Sequence, residues 1–398
     1  MPASPIRKLV PFSDAAKERG TKVYHLNIGQ PDIPTPPVFF QAINQADLEV
    51  VAYSPSAGID PLREQIQQYY GRLGHELNQD NVLVTTGASE ALSFIFAALM
   101  DPSDEVIVPE PFYANYLSFT LAKDSKIVPV TSRIEDDFCL PSVEDFEAAI
   151  TPRTKAILIC NPGNPTGVLY PQDALQRLRE VAEKHDLFIV ADEVYREFAY
   201  DGSTHHSCLS MKGFEQNVVV VDSISKRFSA CGARIGCVIS RNDELMSIVL
   251  KQAQARLSPP TLGQIGATAM YQLPQSYYDQ VATEYSARRD LLKESLDKIP
   301  GVLCPKVNGA FYAMVRLPVD DSEVFCRWIL EEFSHNGTTV MMAPAAGFYA
   351  TPGLGKDQVR IAYVLNKQDL AAAMDCLAAA LKAYPGATNQ SVAASNEA

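Results

Sequence analysis

Short runs of apolar residues alternate with longer amphipathic segments from about residue 48 to about residue 287. Each run has the length of a β-strand, and the segments between them, such as residues 89–100 and 171–185, show helical spacing. This alternation is typical of βαβ units around a mostly parallel sheet. We therefore predict an α/β fold whose large domain has a mostly parallel sheet flanked by helices. The candidate strands are residues 82–85, 105–108, 126–130, 156–160, 188–191, 218–222 and 237–240.

The two ends of the chain follow other patterns. The first forty residues are rich in proline, which favours an extended arm, and we expect this arm to join a smaller domain. After about residue 288, strand-rich segments and a final helix over residues 367–383 indicate that this smaller domain is α+β. The last residues lack apolar periodicity, which is typical of disorder. The predicted division is an arm at 1–47, a large domain at 48–287, a small domain at 288–385 and a disordered tail at 386–398.

Composition argues against several classes of function. The 398 residues carry a net charge of −13, which disfavours a nucleic-acid surface because phosphate binding requires a basic face. The 8 cysteines form no Cys-x-x-Cys pair and are expected to be reduced, and His205 and His206 lack partners at metal spacing, so we predict no metal site. No segment approaches the roughly 18 apolar residues of a membrane helix. Because the first residues also lack the apolar core of a signal peptide, we expect a cytoplasmic protein.

Lys226 lies in Val-Asp-Ser-Ile-Ser-Lys-Arg-Phe-Ser-Ala-Cys-Gly-Ala-Arg-Ile-Gly (221–236), just after a predicted buried strand. A lysine in this setting suits a covalent amine, because partial burial beside another cation helps the ammonium lose its proton before it attacks a carbonyl. The neighbouring hydroxyls, including that of Ser223, could hold a phosphate together with Arg234. The segment therefore predicts a site for an aldehyde cofactor that carries a phosphate, namely pyridoxal phosphate.

Two further polar clusters follow predicted strands. Gly87 places the amides of Ala88 and Ser89 at a helix N-terminus, which is either an anion site or an ordinary turn with Ser89 near the cap. In Cys-Asn-Pro-Gly-Asn-Pro-Thr-Gly (160–167), two Asn-Pro pairs favour a rigid loop. That rigidity predicts that Asn164 presents a fixed amide at the edge of the sheet.

Asp192 ends another predicted strand, and Tyr195 follows three residues later. A carboxylate deep in a cleft would keep a pyridine nitrogen protonated, which makes the ring an electron sink. Tyr195 could donate a hydrogen bond to the phenolic oxygen of the same ring. The alternative for Asp192 is a helix N-cap.

In order and content, these clusters resemble those of the fold-type-I pyridoxal-phosphate aminotransferases of class I. The resemblance extends from Asn-Ile-Gly-Gln-Pro-Asp (27–32) to Arg-Ile-Ala-Tyr (360–363), nearly the whole chain. It implies that Lys226 binds the cofactor covalently and carries a proton during turnover. It also implies that Arg360 binds the substrate α-carboxylate, with Asn164 and a backbone contact from Gly29. The implied cofactor contacts are Ala88, Ser89, Ser223 and Arg234 at the phosphate, Asp192 at the ring nitrogen, Tyr195 at the ring oxygen, Asn164 from its loop, Tyr113 stacked on the ring, and Tyr53 reaching the phosphate from a second subunit.

The resemblance further implies a reaction and an assembly. Enzymes of this family move an α-amino group between an amino acid and a 2-oxo acid in two half-reactions, and they are homodimers with shared active sites. Two other kinds of enzyme, carbon–sulfur lyases and cyclopropane-forming synthases, would share Lys226, Asp192 and Arg234. A cofactor-sensing regulator would place a DNA-binding domain before this fold, and we see no basic helical unit at the start of the chain.

The amino donor is less constrained than the reaction. Aspartate is the expected substrate, and aromatic, alanine or broad specificity are the alternatives. Some aspartate aminotransferases of the family have a lysine where this chain has Ser89, so that cation is absent here. Arg256 is the candidate cation for a distal carboxylate, and a surface arginine at the end of a helix is the alternative interpretation.

Overall fold

The computed structural model describes residues 7–388, and its largest element of architecture is a seven-stranded sheet. The strands of the described chain are β1 (Lys22–His25), β2 (Val82–Thr85), β3 (Glu105–Glu110), β4 (Lys126–Thr131), β5 (Thr154–Cys160), β6 (Phe188–Asp192), β7 (Val218–Ser223), β8 (Gly236–Ser240), β9 (Tyr312–Arg316), β10 (Thr338–Met341), β11 (Ala343–Pro344) and β12 (Gln358–Ala362). Its helices are α1 (Val10–Glu18), α2 (Pro37–Gln45), α3 (Asp60–Arg72), α4 (Gly87–Leu99), α5 (Asn115–Leu121), α6 (Val143–Ala149), α7 (Gln172–Lys184), α8 (Ile224–Arg227), α9 (Asp243–Arg256), α10 (Thr261–Met270), α11 (Gln275–Asp297), α12 (Ser322–Glu331) and α13 (Lys367–Ala383).

The large sheet has the strand order β2-β8-β7-β6-β5-β3-β4. Neighbouring strands are parallel except at β8, which runs antiparallel to both β2 and β7. The carboxyl ends of the parallel strands therefore meet at one edge, which is where ligands bind in sheets of this kind. The prediction of an α/β fold with a mostly parallel sheet is confirmed, and all seven predicted strands are present.

Strand β7 shows why these apolar runs form buried strands. It contains four consecutive valines, whose β-branched side chains favour extended backbone. Val218 and Val220 pack in the layer that includes α3, α7 and α10, whereas Val219 and Val221 pack in the layer that includes α4 and α9. Because both faces are covered, the strand needs no alternation of polar residues. Polar side chains appear only at its end, where the sheet reaches the edge.

A smaller unit contains the remaining sheets. Strands β11, β12 and β9 form an antiparallel sheet, and β1 pairs in parallel with β10. Helix α1 packs on α12, and α13 packs on β10 and on α11. The N-terminal arm therefore contributes α1 and β1, which pair and pack with elements of the smaller unit.

The expectation of a wholly extended arm is wrong, because the arm contains two helices. Both helices have a proline in the first turn, where a missing backbone N–H costs no intrahelical hydrogen bond. The second of them, α2, packs on α10 of the large unit, and its Phe39 lies so close to Gly266 that a Cβ there would clash with the ring. The arm therefore touches both units.

The predicted boundary at residues 287 and 288 falls inside one continuous helix, α11. Tyr278 near its start packs in the core beneath the large sheet, whereas Leu292 and Leu296 near its end pack in the core of the smaller unit. Residues 386–388, assigned to the tail, make backbone hydrogen bonds with residues 318–320. The rest of the predicted tail, 389–398, lies outside the described residues.

The cysteines and the apolarity of the helices bear on two further expectations, because the sequence predicts reduced thiols and no membrane helix. All eight cysteines lie within residues 7–388 and are free. None of the helices in that range combines the length and the apolarity that a membrane crossing requires.

Candidate active site

A cleft of about 580 Å³ opens at the carboxyl edge of the large sheet. Its walls come from the strand ends, from the segment after β1 and from the smaller unit. The cleft brings together eleven of the thirteen predicted site residues. They are Gly29, Ala88, Ser89, Tyr113, Asn164, Asp192, Tyr195, Ser223, Lys226, Arg234 and Arg360.

Lys226 projects from the single-turn helix α8, which directly follows β7. Its side chain is partly buried, and its Nζ donates a hydrogen bond to the carbonyl oxygen of Gly29 (2.7 Å). The same atom lies 5.9 Å from the ring centres of Tyr195 and Phe311. The amine is therefore held inside the cleft by a neutral acceptor and aromatic walls.

Asp192 is the last residue of β6 and is only 4% exposed. Its carboxylate accepts a hydrogen bond from the Tyr116 hydroxyl (2.7 Å) and a longer one from the Val194 backbone N–H (3.4 Å). Burial raises the pKa of Asp192 to about 6, although the hydrogen bond from Tyr116 acts in the opposite direction. A buried carboxylate with a raised pKa favours a cationic partner.

Arg360 lies on β12 of the smaller unit and is 1% exposed. Its guanidinium donates to the Asn164 side-chain oxygen (3.0 Å) and to the Asn27 carbonyl oxygen (2.5 Å), and it lies 4.5 Å from the ring centre of Tyr312. Within residues 7–388 it has no carboxylate partner, and burial lowers the pKa of the guanidinium. A buried cation without an anion is costly, and an anionic ligand would offset that cost.

The N-terminus of α4 and the strand end of β7 form one polar corner of the cleft. Gly236, the first residue of β8, pairs with Thr85 of β2 on one side and with Ser223 of β7 on the other. The carboxyl ends of β2 and β7 therefore lie on either side of the start of β8. Gly87 has φ +74°, and a side chain there would clash with the Arg234 guanidinium. This corner combines free helix amides, hydroxyls and a guanidinium, which together suit a phosphate.

Aromatic residues form the opposite walls. The Tyr195 and Tyr312 hydroxyls lie 3.0 Å apart, and Asn115 donates a hydrogen bond to the Tyr113 hydroxyl (2.7 Å). Burial raises the pKa of Tyr113 to about 12, so this phenol stays protonated. Such walls suit a flat ring, because aromatic faces stack at low cost.

Two of the predicted residues lie outside the cleft of a single chain. Tyr53 is 79% exposed and does not line it. Arg256 pairs with the Glu90 carboxylate (2.8 Å) and donates to the Ser56 carbonyl oxygen (3.0 Å). Because its charge is already paired, the geometry within one chain does not support the substrate role predicted for Arg256.

Several cleft residues were missed by the sequence analysis. Tyr312 and Arg7 come from distant parts of the chain, and no local motif marks them. Tyr116, which does not line the cleft but donates a hydrogen bond to Asp192, was missed as well. Among residues 7–388, no group of three or more potential ligand side chains is arranged to hold a metal ion.

Comparison with known proteins identifies the family. The family model for aminotransferases of class I and II matches residues 21–377. Aspartate aminotransferase of Pyrococcus horikoshii is 30% identical over 385 residues, which cover 95% of each chain. The chain belongs to the class I and II aminotransferases.

Solved structures of related aminotransferases have the same fold. The aspartate aminotransferase of Thermus thermophilus with maleate aligns with a TM-score of 0.87 at 28% identity and covers 96% of this chain and 97% of its own. The alanine aminotransferase of Pyrococcus furiosus aligns with a TM-score of 0.88 at 30% identity and covers 96% and 98%. The chain is accordingly a transaminase that depends on pyridoxal 5′-phosphate.

The cleft of this aminotransferase fits that cofactor on three observations. Lys226 offers an amine within the cleft, and the corner at Arg234 offers donors for a phosphate. Asp192 offers a buried carboxylate at the end of the central strand, suited to a protonated ring nitrogen. These three groups lie in one cavity, where they could serve the aldehyde, the phosphate and the ring nitrogen of the cofactor.

Replacement of the buried carboxylate should stabilise the cofactor-free protein. A carboxyl whose pKa is raised on folding destabilises the folded state as the pH rises from the unfolded pKa, about 4, to the folded pKa, about 6, and the loss is complete above that pH. We expect Asp192→Asn to increase the free energy of unfolding by up to about 3 kcal/mol near pH 8 and by almost nothing near pH 4. Urea unfolding of both apoproteins at the two pH values measures this difference. An equal gain at both would contradict the assigned cause.

Proposed function

We propose that this aminotransferase exchanges amino groups between aspartate and a 2-oxo acid, with Lys226, Asp192 and Arg360 as its principal groups. One observation carries the proposal: a lysine amine, a buried carboxylate and a buried guanidinium without a carboxylate partner converge in one cleft. When bound, pyridoxal phosphate supplies an aldehyde for the amino group and a ring that takes up electrons released at the substrate Cα. A cytoplasmic location remains a prediction from the sequence.

Lys226 is proposed to hold the cofactor at rest and to move a proton during turnover. Its Nζ already lies within hydrogen-bonding distance of Gly29, on the side of the cleft that faces the smaller unit. With cofactor and substrate bound, the free Lys226 Nζ would be the base that takes a proton from the substrate Cα and the acid that returns it.

The other cleft residues are proposed to orient the cofactor. Asp192 holds a proton on the ring nitrogen, because a cation beside it relieves the cost of its buried charge. With the cofactor bound, Tyr195 would offer its hydroxyl as a hydrogen-bond donor, and the Tyr113 ring would offer a surface for stacking. The proposed phosphate contacts are Ala88, Ser89, Ser223 and Arg234.

Arg360 is proposed to bind the α-carboxylate of the amino acid. Its planar guanidinium offers two parallel N–H groups, which match a carboxylate better than the point charge of a lysine does. Asn164 already accepts a hydrogen bond from Arg360 (3.0 Å) and so holds it toward the cleft. Gly29 contributes its backbone at the same wall.

Arg7 supports aspartate as the substrate. A dicarboxylate needs a second cation, and Arg7 is one of the residues that line the cleft. Its guanidinium forms no ion pair with any residue in the described range 7–388, whereas the neighbouring Lys8 pairs with Glu323 (2.6 Å). The relatives named above as aspartate aminotransferases support the same choice.

An exposed apolar patch supports a homodimer with shared active sites. Val50, Val51 and Tyr53 are 72%, 62% and 79% exposed, and contiguous exposed apolar side chains mark interaction surfaces. The Thr261 hydroxyl donates to the Ala52 carbonyl oxygen (3.0 Å), which joins this segment to α10. A twofold pairing of this patch would carry Tyr53 toward the cleft of the partner, as its predicted phosphate contact requires.

Removal of the proposed catalytic amine tests the core of the assignment. We expect Lys226→Ala to bind pyridoxal phosphate but to lose turnover by a factor of at least about 10² to 10⁴. Borohydride reduction followed by mass spectrometry should place the cofactor on the Lys226 peptide in the unmodified enzyme and on no peptide in the variant. Lys251→Ala, an exposed change on α9, serves as the control and should retain activity. Full activity in Lys226→Ala would refute the role.

Substitutions of Arg360 and Arg7 should change the kinetics with different amino donors in different ways. We expect Arg360→Lys to raise KM for aspartate and alanine alike, because both carry an α-carboxylate. Arg7→Met should raise KM for aspartate by roughly 10-fold and leave that for alanine nearly unchanged, since only aspartate has a second carboxylate. Steady-state kinetics with both donors measures the contrast, and Lys8→Met is the matched control. Equal effects of Arg7→Met on both donors would remove the argument for its role.

A charge within the apolar patch should separate the subunits. We expect Val51→Asp to shift the protein from dimer to monomer in sedimentation experiments and to lower activity, because a carboxylate cannot be buried there unpaired. Val324→Asp introduces the same change at an exposed valine on α12 and should leave the dimer intact. A dimeric and fully active Val51→Asp protein would show that the interface lies elsewhere.

A further inference from the structure

A fully buried ion pair lies behind Lys226 and has no part in the reaction proposed above. Asp222 and Arg227 are 0% and 1% exposed, and the Arg227 guanidinium donates a hydrogen bond to the Asp222 carboxylate. Burial of two charges is weak evidence for stability, because the loss of hydration offsets much of their attraction. The position of the pair says more about its role than its burial does, because Asp222 lies before Lys226 in the chain and Arg227 directly follows it.

The ion pair joins the two ends of the short segment, residues 222–227, that contains Lys226. Helix α8 is a single turn of four residues, which is far too short to be stable alone. Its place therefore depends on contacts at its two ends. At the first end, Asp222 accepts hydrogen bonds from the backbone N–H of Ser223 (2.7 Å) and from the Tyr70 hydroxyl (2.9 Å). At the other end, the Tyr277 hydroxyl donates to the backbone carbonyl of Arg227 (3.1 Å).

Aromatic rings hold the pair from the side opposite the cleft. The Arg227 guanidinium lies 4.8 Å from the ring centre of Tyr69 and 3.9 Å from the Glu197 carboxylate. Arg196 lies 4.5 Å from the ring centre of Tyr70, the residue that donates to Asp222. These contacts surround the Arg227 side chain, which is 1% exposed.

The same strand end also carries a proposed phosphate contact. The Ser223 hydroxyl donates to the Ile235 carbonyl oxygen (2.8 Å) and accepts from the Ser225 backbone N–H (3.1 Å). Asp222 thus restrains the backbone of Ser223 directly and that of Lys226 through Arg227. The pair links the two ends of the cofactor site, the phosphate corner and the amine.

We propose that the buried Asp222–Arg227 pair is a positioning device that sets the Lys226 amine relative to the phosphate corner of the cleft. The proposal rests on the proposed role of Lys226 as the cofactor-binding lysine. Arg227 and Asp222 touch neither cofactor nor substrate, so they act through the geometry of α8. A displaced amine should slow proton transfer without weakening the binding of the substrate carboxylate, which depends on Arg360.

Arg227→Met tests the proposal, because methionine fills similar space among tyrosine rings but cannot pair with Asp222. We expect kcat to fall on the order of 10- to 100-fold, with KM for the amino donor nearly unchanged. The pH midpoint of the visible-absorbance titration of the bound cofactor should also shift, since that midpoint reports the surroundings of the Lys226 nitrogen. Arg289→Met removes another largely buried arginine, which pairs with Asp201 (2.8 Å) away from the cleft, and it should lower Tm alone.

A double variant keeps the test decisive if the single change unfolds the protein. Asp222→Asn combined with Arg227→Met removes both charges of the pair, and the nearby Glu197 carboxylate keeps its hydrogen bond from the Tyr69 hydroxyl, so the variant should fold. We expect its kcat to stay low and its absorbance midpoint to stay shifted. If it, or Arg227→Met, matches the unmodified enzyme in both readouts while only Tm changes, the pair is merely structural and the proposal is wrong.

The outcome is separable from that of the proposed function. Borohydride reduction should still attach the cofactor to Lys226 in Arg227→Met, because the lysine is present and only its placement changes. If the unmodified enzyme carries no cofactor on Lys226, the proposed function fails first and the positioning proposal falls with it. If the attachment is normal and kcat is unaffected in Arg227→Met, only the positioning proposal fails.

Discussion

The parallel alignment of β5, β6 and β7 is the constraint on which the rest of the site depends. Parallel strands send their carboxyl ends to the same edge, so residues far apart in the chain arrive side by side. Asn164 follows β5, Asp192 ends β6 and Ser223 ends β7. The antiparallel strand β8 starts at this edge, which brings Arg234, just before it, to the same place. A slip in the pairing of any of these strands would separate the polar groups.

Burial gives these groups their chemistry, and it also makes the cleft costly. Asp192 and Arg360 are buried charges that have no partner of opposite charge in contact with them in the described chain. Both side chains are almost fully buried, and the aromatic rings of Tyr195 and Tyr312 line the same cleft, so solvent screens the charges little. Ligands of the opposite charge would offset that cost. The same features make the empty cleft a local source of instability.

Much of the fold and of the site could be predicted, and the reasons are physical. Strands covered on both faces must be continuously apolar, so β7 is visible in the sequence as a run of valines. Polar residues right after such runs, including Asn164, Asp192 and Lys226, must lie at the edge of the sheet. The helices of the N-terminal arm were missed because proline in a first helical turn has the same sequence signature as an extended segment.

The sequence alone determined the fold class, the family and the residues at the strand ends, because each depends on local periodicity or on a contiguous motif. Only the tertiary structure decided which distant groups join them. Tyr312 and Arg7 reach the cleft through the packing of the smaller unit, and Arg256 is turned to Glu90 by its contacts with other segments. The ion pair behind Lys226 is of the same kind, since its surroundings come from α3 and α11. Long-range packing depends on the whole set of contacts, and no single stretch of sequence contains that information.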